Sequence, residues 1–312
     1  MKIAIIDFFE EDFIHQLSNN DFIFDYFPEA KRHDLLKKND YEILILKSKT
    51  VIDEEFLSYW KSLRYIIRAG AGVEHIHQQA IQKLGIQLIT TNEGNANAVA
   101  EHALGMLLCL LNNIHKANFE VKNFLWLREP NRGHELEGKT VGIIGYGHTG
   151  SAFAKKLQGF DCQIIAYDKY KYGFANDYVQ EVDLQTLQEQ ADIISFHVPL
   201  TSETHYYFDE SFVRKLKKNI WLLNLSRGPV VKTNILPELL STKKILGCAL
   251  DVLEYEDFTK LSSEYKATLE QLFRFDNCLF TPHIAGWSFE SAKKINDLIV
   301  KKLLQISNFI KY

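Results

Sequence analysis

A glycine-rich segment at residues 138–168 constrains the fold of this chain more than any other feature. Within it, the apolar run Val141–Ile144 is followed by Gly145, Gly147 and Gly150 in the spacing G-x-G-x-x-G. This order predicts a buried strand, a tight turn and the start of a helix. The first glycine permits the turn, the second lets the backbone approach a diphosphate, and the third lets the helix pack against its strand. Amide groups at a helix N-terminus bind phosphate, so the segment predicts a dinucleotide site.

An acidic residue ends the next predicted strand, Cys162–Tyr167. This is Asp168, 18 residues after Gly150. A carboxylate at this strand end can accept hydrogen bonds from both hydroxyls of the adenosine ribose, and it would repel a 2′-phosphate. The site is therefore predicted to prefer NAD to NADP. Lys169 and Lys171 lie just beyond and could soften that rejection, although ordinary solvated lysines are the simpler interpretation.

Short apolar runs alternate with helical patterns over residues 1–97. The runs are Lys2–Ile6, Phe22–Phe27, Ile43–Leu46, Tyr65–Ile67 and Ile86–Ile89, with helices predicted at Glu54–Ser62 and Glu74–Leu84. Strands that alternate with helices form parallel sheets covered on both faces, which predicts an α/β fold. A chain of 312 residues has room for about two such domains. Because residues 1–97 carry no dinucleotide motif, we expect them to bind the substrate.

The longest apolar segment, Asn95–Asn123, contains no proline and predicts one continuous helix. One face of a sheet cannot bury all the apolar surface of such a helix, and a second subunit can bury the rest. We therefore expect a homodimer formed through residues 95–123. The last segment, from Phe289 onward, predicts an amphipathic helix that packs back onto the first domain.

Composition argues against several classes of partner. The chain is 46% hydrophobic and 24% charged with a net charge of −4, so no general affinity for nucleic acid or anionic membranes is expected. The N-terminal apolar stretch is too short for a signal peptide. The apolar run Ala98–Leu111 is interrupted by Glu101 and His102, which indicates a buried helix and not a membrane span. Four widely spaced cysteines without a C-x-x-C pair predict reduced thiols in the cytoplasm and no metal site. They are Cys109, Cys162, Cys248 and Cys278.

Three polar residues follow predicted strands in the second half of the chain: Arg227, Glu256 and His283. The carboxyl ends of parallel strands meet at one edge of a sheet, where α/β proteins bind ligands. Hydride transfer from a carbinol needs a group that takes the hydroxyl proton, and histidine suits that role. Glu256 would orient the His283 ring and stabilise positive charge on it, while Arg227 would bind a substrate carboxylate through two hydrogen bonds.

Several segments together resemble the NAD-dependent D-isomer-specific 2-hydroxyacid dehydrogenases, and the resemblance covers nearly the whole chain. They are VAEHALGMLL (99–108), GKTVGIIGYGHTG (138–150), HVPLTSET (197–204), NLSRGPVV (224–231), GCALDVLEYE (247–256) and TPHIAGW (281–287). The resemblance implies two Rossmann-like, doubly wound parallel-sheet domains with the active site in the cleft between them. Residues 1–97 and 288–312 would form a flavodoxin-like substrate domain, and residues 98–287 an inserted NAD-binding domain.

The same resemblance implies roles for individual residues. Arg227 would orient the substrate, Glu256 would be the acid partner and His283 the general acid and base. Asp251 resembles the residue that holds the nicotinamide carboxamide, and Asp168 the one that binds the adenosine ribose. The other cofactor contacts that it implies are Gly145, Gly147, His148, Thr149, Gly150, His197, Val198, Pro199, Thr204, Leu225, Ser226, Ala285 and Gly286, beside Arg227 and His283.

This chain departs from the family pattern at a few positions. His148 stands where an arginine is usual, so the usual cation for the pyrophosphate is not present at this position. Asp257 replaces a common proline, so a freer loop is expected there. Lys232 and Thr233 replace an acidic region, and Ala71 stands where some members have Thr or Ser. None of these changes removes a catalytic group.

Two stretches resemble the D-3-phosphoglycerate dehydrogenases in particular: LILKSKT (44–50) and IRAGAGVEHI (67–76). Lys47 and Arg68 would bind a substrate phosphate, and Arg227 with His283 would bind the carboxylate end. The backbone amides of a small-residue loop would add anion contacts, at Ala69, Gly70, Ala71 and Gly72. The predicted reaction is oxidation of 3-phospho-D-glycerate in serine biosynthesis.

Two other functions stay open. A general reductase of plain 2-ketoacids such as glyoxylate or hydroxypyruvate is the first alternative, and a non-enzymatic NAD-sensing corepressor with the same fold is a distant one. The chain ends 29 residues after His283, so no C-terminal regulatory domain is expected.

Overall fold

The computed structural model describes residues 1–38 and 40–310, with side chains described up to residue 307. The chain divides into two compact units. Unit 1 consists of Met1–Asn95 together with the residues from Trp287 onward, and unit 2 is Ala96–Gly286.

Unit 1 is built on a parallel sheet with the flavodoxin-like strand order β2-β1-β3-β4-β5. Its elements are β1 (Lys2–Ile6), α1 (Glu11–Asn19), β2 (Ile23–Phe27), α2 (Arg32–Leu35), β3 (Ile43–Leu46), α3 (Glu54–Tyr59), β4 (Tyr65–Arg68), α4 (Gln78–Lys83), β5 (Gln87–Thr90) and a C-terminal helix (Phe289–Ile310). All four strand positions of β3 are buried, because both faces of the sheet are covered.

Alternate residues of these strands enter two separate cores. Ile3 and Ile43 pack with Phe13 of α1 on one face, where Ile299 and Leu303 of the C-terminal helix join them. On the opposite face, the even-numbered positions of β1 and β3 pack with the aromatic side chains of α3 and its C-terminus. The prediction that the last helix packs onto the first domain is confirmed.

The helix predicted at Glu74–Leu84 is shorter than expected, since α4 begins only at Gln78. The residues just before α4 form an isolated parallel β-bridge, in which Ile76 pairs with Ile52. The Ile52 amide donates to the His75 carbonyl at 2.8 Å, and the His77 amide donates to the Ile52 carbonyl at 2.8 Å. These contacts hold the 73–77 backbone outside the helical conformation.

Unit 2 contains a longer parallel sheet with the order β12-β11-β10-β9-β6-β7-β8 in the described part of the chain. Its elements are α5 (Ala96–Leu111), α6 (Ile114–Lys122), β6 (Thr140–Ile144), α7 (His148–Leu157), β7 (Gln163–Tyr167), β8 (Gln180–Glu181), α8 (Leu184–Gln190), β9 (Ile193–Phe196), α9 (Glu210–Lys215), β10 (Ile220–Asn224), α10 (Leu236–Ser241), β11 (Ile245–Leu250), α11 (Ser263–Leu272) and β12 (Cys278–Phe280). The strand order reverses between β6 and β9, and such switch points bind dinucleotides.

The prediction of one continuous helix over Asn95–Asn123 is wrong. The segment forms α5 and α6 with a break at Asn113, whose φ of 53° is left-handed. Asparagine tolerates that conformation better than most residues. The apolar face of α5 is covered within unit 2, where Ala103, Leu107 and Leu110 lie in the same core as residues of α7 and the sheet. By contrast, α6 contains no buried residue.

Among the described residues, no helix combines the length and the apolar character needed to cross a membrane.

The residue after β9, His197, is buried in unit 2. Its Nε2 lies 2.8 Å from the Ser195 hydroxyl, and its ring centroid lies 5.4 Å from that of Phe153. Burial lowers the pKa of His197 to about 4, because a charged imidazolium would lose its hydration there. The ring is therefore neutral in the folded protein at physiological pH.

We expect His197 to make the folded protein sensitive to acid. Between its ordinary pKa of 6.5 and about 4, the unfolded chain binds a proton that the folded chain does not. The free energy of unfolding should fall across this window as pH decreases, by roughly 3 kcal/mol at most. Urea unfolding of a His197→Gln variant at pH 7 to 4.5 should show a flatter dependence than that of the unmodified protein. The control is His15→Gln, a change at an exposed position; identical pH slopes in all three proteins would contradict the expectation.

Candidate active site

The glycine turn joins β6 to α7 with the geometry that a diphosphate needs. A Cβ on Gly150 would lie 2.0 Å from the Gly145 carbonyl oxygen, so no side chain fits at the closest approach of helix and turn. A Cβ on Gly147 would meet no atom within 4 Å, which leaves open space beside the start of α7. No side chain caps that helix at Gly147. Open space next to uncapped amides fits a dinucleotide diphosphate.

Asp168 is fixed at the end of β7 by backbone donors. Its Oδ2 accepts from the Tyr146 amide at 2.8 Å, and its Oδ1 accepts from the amides of Tyr170 and Lys171 at 2.9 and 3.1 Å. Carboxylate oxygens can accept more than one bond each, so capacity for ribose hydroxyls remains. These hydrogen bonds give the Asp168 carboxylate, which is predicted to bind the ribose, a defined orientation beside the glycine turn.

The two lysines beyond Asp168 have partners within unit 2. The Lys169 ammonium lies 2.7 Å from the Glu203 carboxylate, and the Lys171 ammonium donates to the Tyr146 carbonyl at 3.1 Å. The Lys171 ammonium also lies 5.2 Å from the Tyr146 ring centroid. These contacts support the simpler interpretation of both lysines and agree with a preference for NAD.

The loop after β9 contacts the glycine turn through its backbone. A Cβ on Gly145 would lie 2.5 Å from the His197 carbonyl oxygen, so this backbone packs directly on the turn while the His197 ring is buried. The Thr204 hydroxyl donates to the Pro199 carbonyl at 2.6 Å and accepts from the Thr201 amide at 2.8 Å. Val198, Pro199 and Thr204 thus belong to a loop closed by its own hydrogen bonds.

The loop after β10 presents Arg227, and a buried asparagine holds it. The Asn224 side chain donates to the Arg227 carbonyl at 2.9 Å and accepts from the Ser226 hydroxyl at 2.8 Å. Asn224 has no exposed surface, whereas Arg227 is partly exposed. Leu225 and Ser226 are buried, and the Arg227 guanidinium donates from Nη1 to the Ser226 carbonyl at 2.7 Å.

Glu256 and His283 form a hydrogen-bonded pair in unit 2. The His283 Nδ1 lies 3.0 Å from Glu256 Oε2, with about half of each side chain exposed. An ionised carboxylate can only accept, so His283 Nδ1 carries the proton and donates it to this bond. The Nε2 of the same ring is then the nitrogen that can exchange a proton with a ligand.

Asp251 anchors the backbone of the segment that carries His283. The His283 amide donates to the Asp251 carbonyl at 2.7 Å, and the amides of Ile284 and Ala285 donate to the Asp251 carboxylate at 2.9 Å each. His283 adopts a left-handed φ of 55°. A histidine in this conformation costs free energy, which these hydrogen bonds offset.

The departures from the family pattern have defined surroundings. Asp257 lies 2.7 Å from the Lys260 ammonium, and this pair with Thr259 lowers the pKa of Asp257 to about 2. The loop is thus tied by its own hydrogen bonds, although a freer loop was predicted. Lys232 lies 2.7 Å from Glu210, and the Thr233 amide donates to Glu254 at 2.6 Å. His148 is the exposed first residue of α7.

In unit 1, Lys47 lies in aromatic and acidic surroundings. Its ammonium lies 4.7 Å from the Phe9 ring centroid, 5.7 Å from that of Trp287 and 6.0 Å from that of Phe8. The Glu10 carboxylate is 3.9 Å away. Burial lowers the pKa of Lys47, against the opposing effect of nearby carboxylates.

The small-residue loop after β4 folds around the head of Arg68. The Arg68 guanidinium donates to the Ala69 carbonyl at 2.7 Å, and a Cβ on Gly70 would lie 1.7 Å from Arg68 Nη1. Gly70 itself has a φ of 123°, which disfavours other residues. Ala71 is exposed and Gly72 is buried. The two cations predicted to bind a phosphate, Lys47 and Arg68, are thus each already in contact with protein groups.

Sequence reasoning missed several residues that position these groups: Asn224, Glu254, His102 and Thr281. Glu254 accepts from the Tyr206 hydroxyl at 2.6 Å as well as from the Thr233 amide, so it links three loops. Its contact raises the pKa of Tyr206 to about 12. A signal existed for His102, an ionisable residue within an apolar helix, and for Asn224, a polar residue at the end of an apolar strand.

Comparison with known proteins places these observations in a family. The sequence model described as "D-isomer specific 2-hydroxyacid dehydrogenase, NAD binding domain" matches residues 104–285. Hydroxypyruvate reductase of Thermotoga maritima is 32% identical over 266 residues, which are 85% of each chain. Glyoxylate reductase of Thermofilum pendens is 34% identical over 89% of this chain and 82% of its own length.

A longer relative and a solved structure agree with that assignment. D-3-phosphoglycerate dehydrogenase of Archaeoglobus fulgidus is 30% identical over 98% of this chain but 57% of its own length. D-lactate dehydrogenase from Aquifex aeolicus, solved with NAD and lactic acid, matches with a TM-score of 0.84 and 26% identity over 99% of this chain and 95% of that one. The chain thus belongs to the D-isomer specific 2-hydroxyacid dehydrogenases, and its cofactor is NAD.

Proposed function

We propose that this protein transfers a hydride between NAD and a D-2-hydroxyacid, with Arg227, Glu256 and His283 as its catalytic residues. The observation that carries the proposal is the 3.0 Å contact between His283 Nδ1 and Glu256. It leaves His283 Nε2 facing away from the carboxylate, as proton transfer to a ligand requires. Arg227 supplies a cation for the substrate carboxylate at the end of a neighbouring strand, since β10 pairs with β11.

NAD would be held by the glycine turn and Asp168, and it would supply the acceptor for the C2 hydride in the direction of hydroxyacid oxidation. In the same direction His283 Nε2 takes the proton of the C2 hydroxyl, and the C2–O bond becomes a carbonyl. Glu256 keeps the ring oriented and stabilises its positive charge. Arg227 binds the substrate carboxylate and polarises the adjacent oxygen. In the reverse direction His283 returns the proton to the ketoacid oxygen.

We expect His283→Ala to reduce kcat by about two orders of magnitude or more while NADH still binds. The proton acceptor is lost, but the glycine turn and Asp168 are untouched. Steady-state rates and quenching of NADH fluorescence measure the two effects separately. Exposed His15→Ala in unit 1 serves as the control, and near-normal turnover of His283→Ala would remove that residue from the proposed role.

For the substrate, we propose 3-phospho-D-glycerate, oxidised to 3-phosphohydroxypyruvate in serine biosynthesis. A ligand with a carboxylate and a phosphate needs two separated groups of cations. Arg227 supplies one, and Lys47 with Arg68 supplies the other. The similarity to D-3-phosphoglycerate dehydrogenase of Archaeoglobus fulgidus, which extends over 98% of this chain, supports the same choice.

A plain 2-ketoacid such as glyoxylate or hydroxypyruvate is the second candidate. One observation favours it: the Lys47 ammonium already lies 3.9 Å from the Glu10 carboxylate and is flanked by aromatic rings. A phosphate would meet the negative charge of Glu10 at this position, whereas a smaller ketoacid would not need Lys47. The similarity to hydroxypyruvate and glyoxylate reductases points the same way.

The two candidates differ in what Lys47→Ala should do. If the substrate is phosphorylated, KM for 3-phosphohydroxypyruvate should rise about tenfold or more, the effect of losing one charged hydrogen bond. The KM values for hydroxypyruvate and glyoxylate should change little. Glu10→Gln should lower KM for the phosphorylated ketoacid, because it removes a competing negative charge. NADH oxidation measures all of these rates.

Lys49→Ala is the matched control, since Lys49 is exposed and follows the same strand. Equal or better use of the plain ketoacids by the unmodified enzyme, with no selective loss in Lys47→Ala, would contradict the phosphorylated substrate and establish a general 2-ketoacid reductase.

We propose further that the protein is a homodimer formed through the second half of residues 95–123 and the segment that follows. Phe119 of α6 is 68% exposed, and Phe124 and Trp126 just beyond it are 99% and 80% exposed. Exposed apolar side chains of this size, so close together in the sequence, favour a protein interface. A symmetric pair of copies would cover both patches at once.

Trp126→Glu should convert that dimer to a monomer, because it places a charge where an apolar surface must lose its water. Light scattering after gel filtration would show the halved mass. Tyr59→Glu, an equivalent change at a half-exposed aromatic residue of unit 1, should leave the mass unchanged. A monomeric unmodified protein, or a Trp126→Glu variant of unchanged mass, would contradict this interface.

We propose a cytoplasmic location. All four cysteines are free thiols, including the facing pair Cys248 and Cys278, whose sulfur atoms lie 3.4 Å apart in neighbouring strands. Unbonded cysteines at such a short distance are typical of a reducing compartment.

A further inference from the structure

A buried carboxylate in unit 2 sets the position of His283. Asp251 is 1% exposed, and it receives hydrogen bonds from the backbone amides of His283, Ile284 and Ala285. The His283 amide also contacts the Thr281 carbonyl at 3.0 Å. Any shift of the Asp251 carboxylate would therefore move the loop on which the proton-transfer ring stands.

The direction of the hydrogen bonds around Thr281 follows from the number of protons. Its hydroxyl lies 2.6 Å from Asp251 Oδ1, and that oxygen can only accept, so Thr281 donates its one proton there. The same hydroxyl lies 3.1 Å from His102 Nε2. Since the Thr281 proton is already used, His102 Nε2 must carry a proton and donate it. The result is a directional chain from His102 through Thr281 to Asp251.

His102 lies in the packed interior region of unit 2 that surrounds α5. It lies on α5, which packs against α7, β11 and β12. Its side chain is 25% exposed, and its Nε2 lies 3.9 Å from Asp251 Oδ1. The donor is thus supplied by the central apolar helix, 179 positions away in sequence from the threonine it contacts.

We propose that His102 is a positioning residue: through Thr281 it fixes the Asp251 carboxylate and with it the loop that carries His283. The proposal rests on the role of His283 proposed above. His102 acts by holding the reacting group in place, and small displacements of such a group cost large factors in rate. Its loss should therefore reduce kcat and leave ketoacid binding nearly intact.

The test compares His102→Leu with His102→Gln. Leucine removes the donor, and glutamine offers an N–H at a similar distance along the side chain. We expect His102→Leu to lower kcat about tenfold, the effect of one lost hydrogen bond, with KM for the ketoacid within about twofold. His102→Gln should recover most of the lost rate. His15→Leu, at an exposed position of unit 1, is the control.

Variants of Thr281 test the same series of hydrogen bonds, and this test does not depend on whether His102→Leu folds. Thr281→Val should lower kcat by a similar factor, and Thr281→Ser, which keeps the hydroxyl, should not. The double variant His102→Leu, Thr281→Val should be no slower than the slower single variant, because both changes break one chain. The melting temperature and NADH affinity of each variant show whether unit 2 stays folded.

A His102→Leu enzyme with unchanged kcat would overturn the proposal, and so would additive losses in the double variant or a His102→Gln enzyme as slow as His102→Leu. His283→Ala is assayed in parallel. It distinguishes a failure of the His102 positioning role from a failure of the proposed dehydrogenase function. If His283→Ala is inactive while His102→Leu is fully active, the proposed role of His283 is supported and the positioning role of His102 is contradicted. An active His283→Ala would overturn both.

Discussion

A buried carboxylate must be compensated, and in this protein the compensation of Asp251 shapes the reactive part of unit 2. The carboxylate receives a hydroxyl and two backbone amides from one short segment after β12. Removing one of these donors would leave part of the buried charge uncompensated, which is costly. The segment is therefore held in one conformation, including the left-handed backbone of His283. The position of the His283 ring is a consequence of how one negative charge is satisfied.

The parallel sheet is what brings these groups to one edge. Leu250 lies opposite Phe280 in the pairing of β11 with β12, so Asp251 and Thr281 follow side by side. The glycine turn and Asp168 likewise stand directly after strands of the same sheet, and Arg227 is the third residue after another. Because all of these strands run in the same direction, the residue after each apolar run reaches the same edge. The residues proposed for chemistry and those proposed for cofactor binding thereby lie on separate loops of one sheet edge.

In unit 1, the neighbours of a charged residue alter its electrostatic properties. In sequence, Lys47 is a cation at the end of a strand, suited to a phosphate. In the fold, its ammonium lies among Phe8, Phe9 and Trp287 and near Glu10. Desolvation lowers its pKa, and the carboxylate offsets part of its charge. The electrostatic character of Lys47 thus depends on a balance between burial and nearby carboxylates that residue type alone does not reveal.

The sequence by itself determined the α/β class, the dinucleotide turn and the strand-end positions of Arg227 and His283, because these follow from local periodicity and glycine spacing. Only the tertiary structure decided the break at Asn113, the neutral buried state of His197, the surroundings of Lys47 and the chain from His102 to Asp251. Each of these depends on contacts or backbone strain set by packing: Glu10 meets Lys47, and His102 meets Thr281 across 179 positions. Local pattern fixes which elements form, whereas the packing of those elements decides which side chains share a charge or a proton.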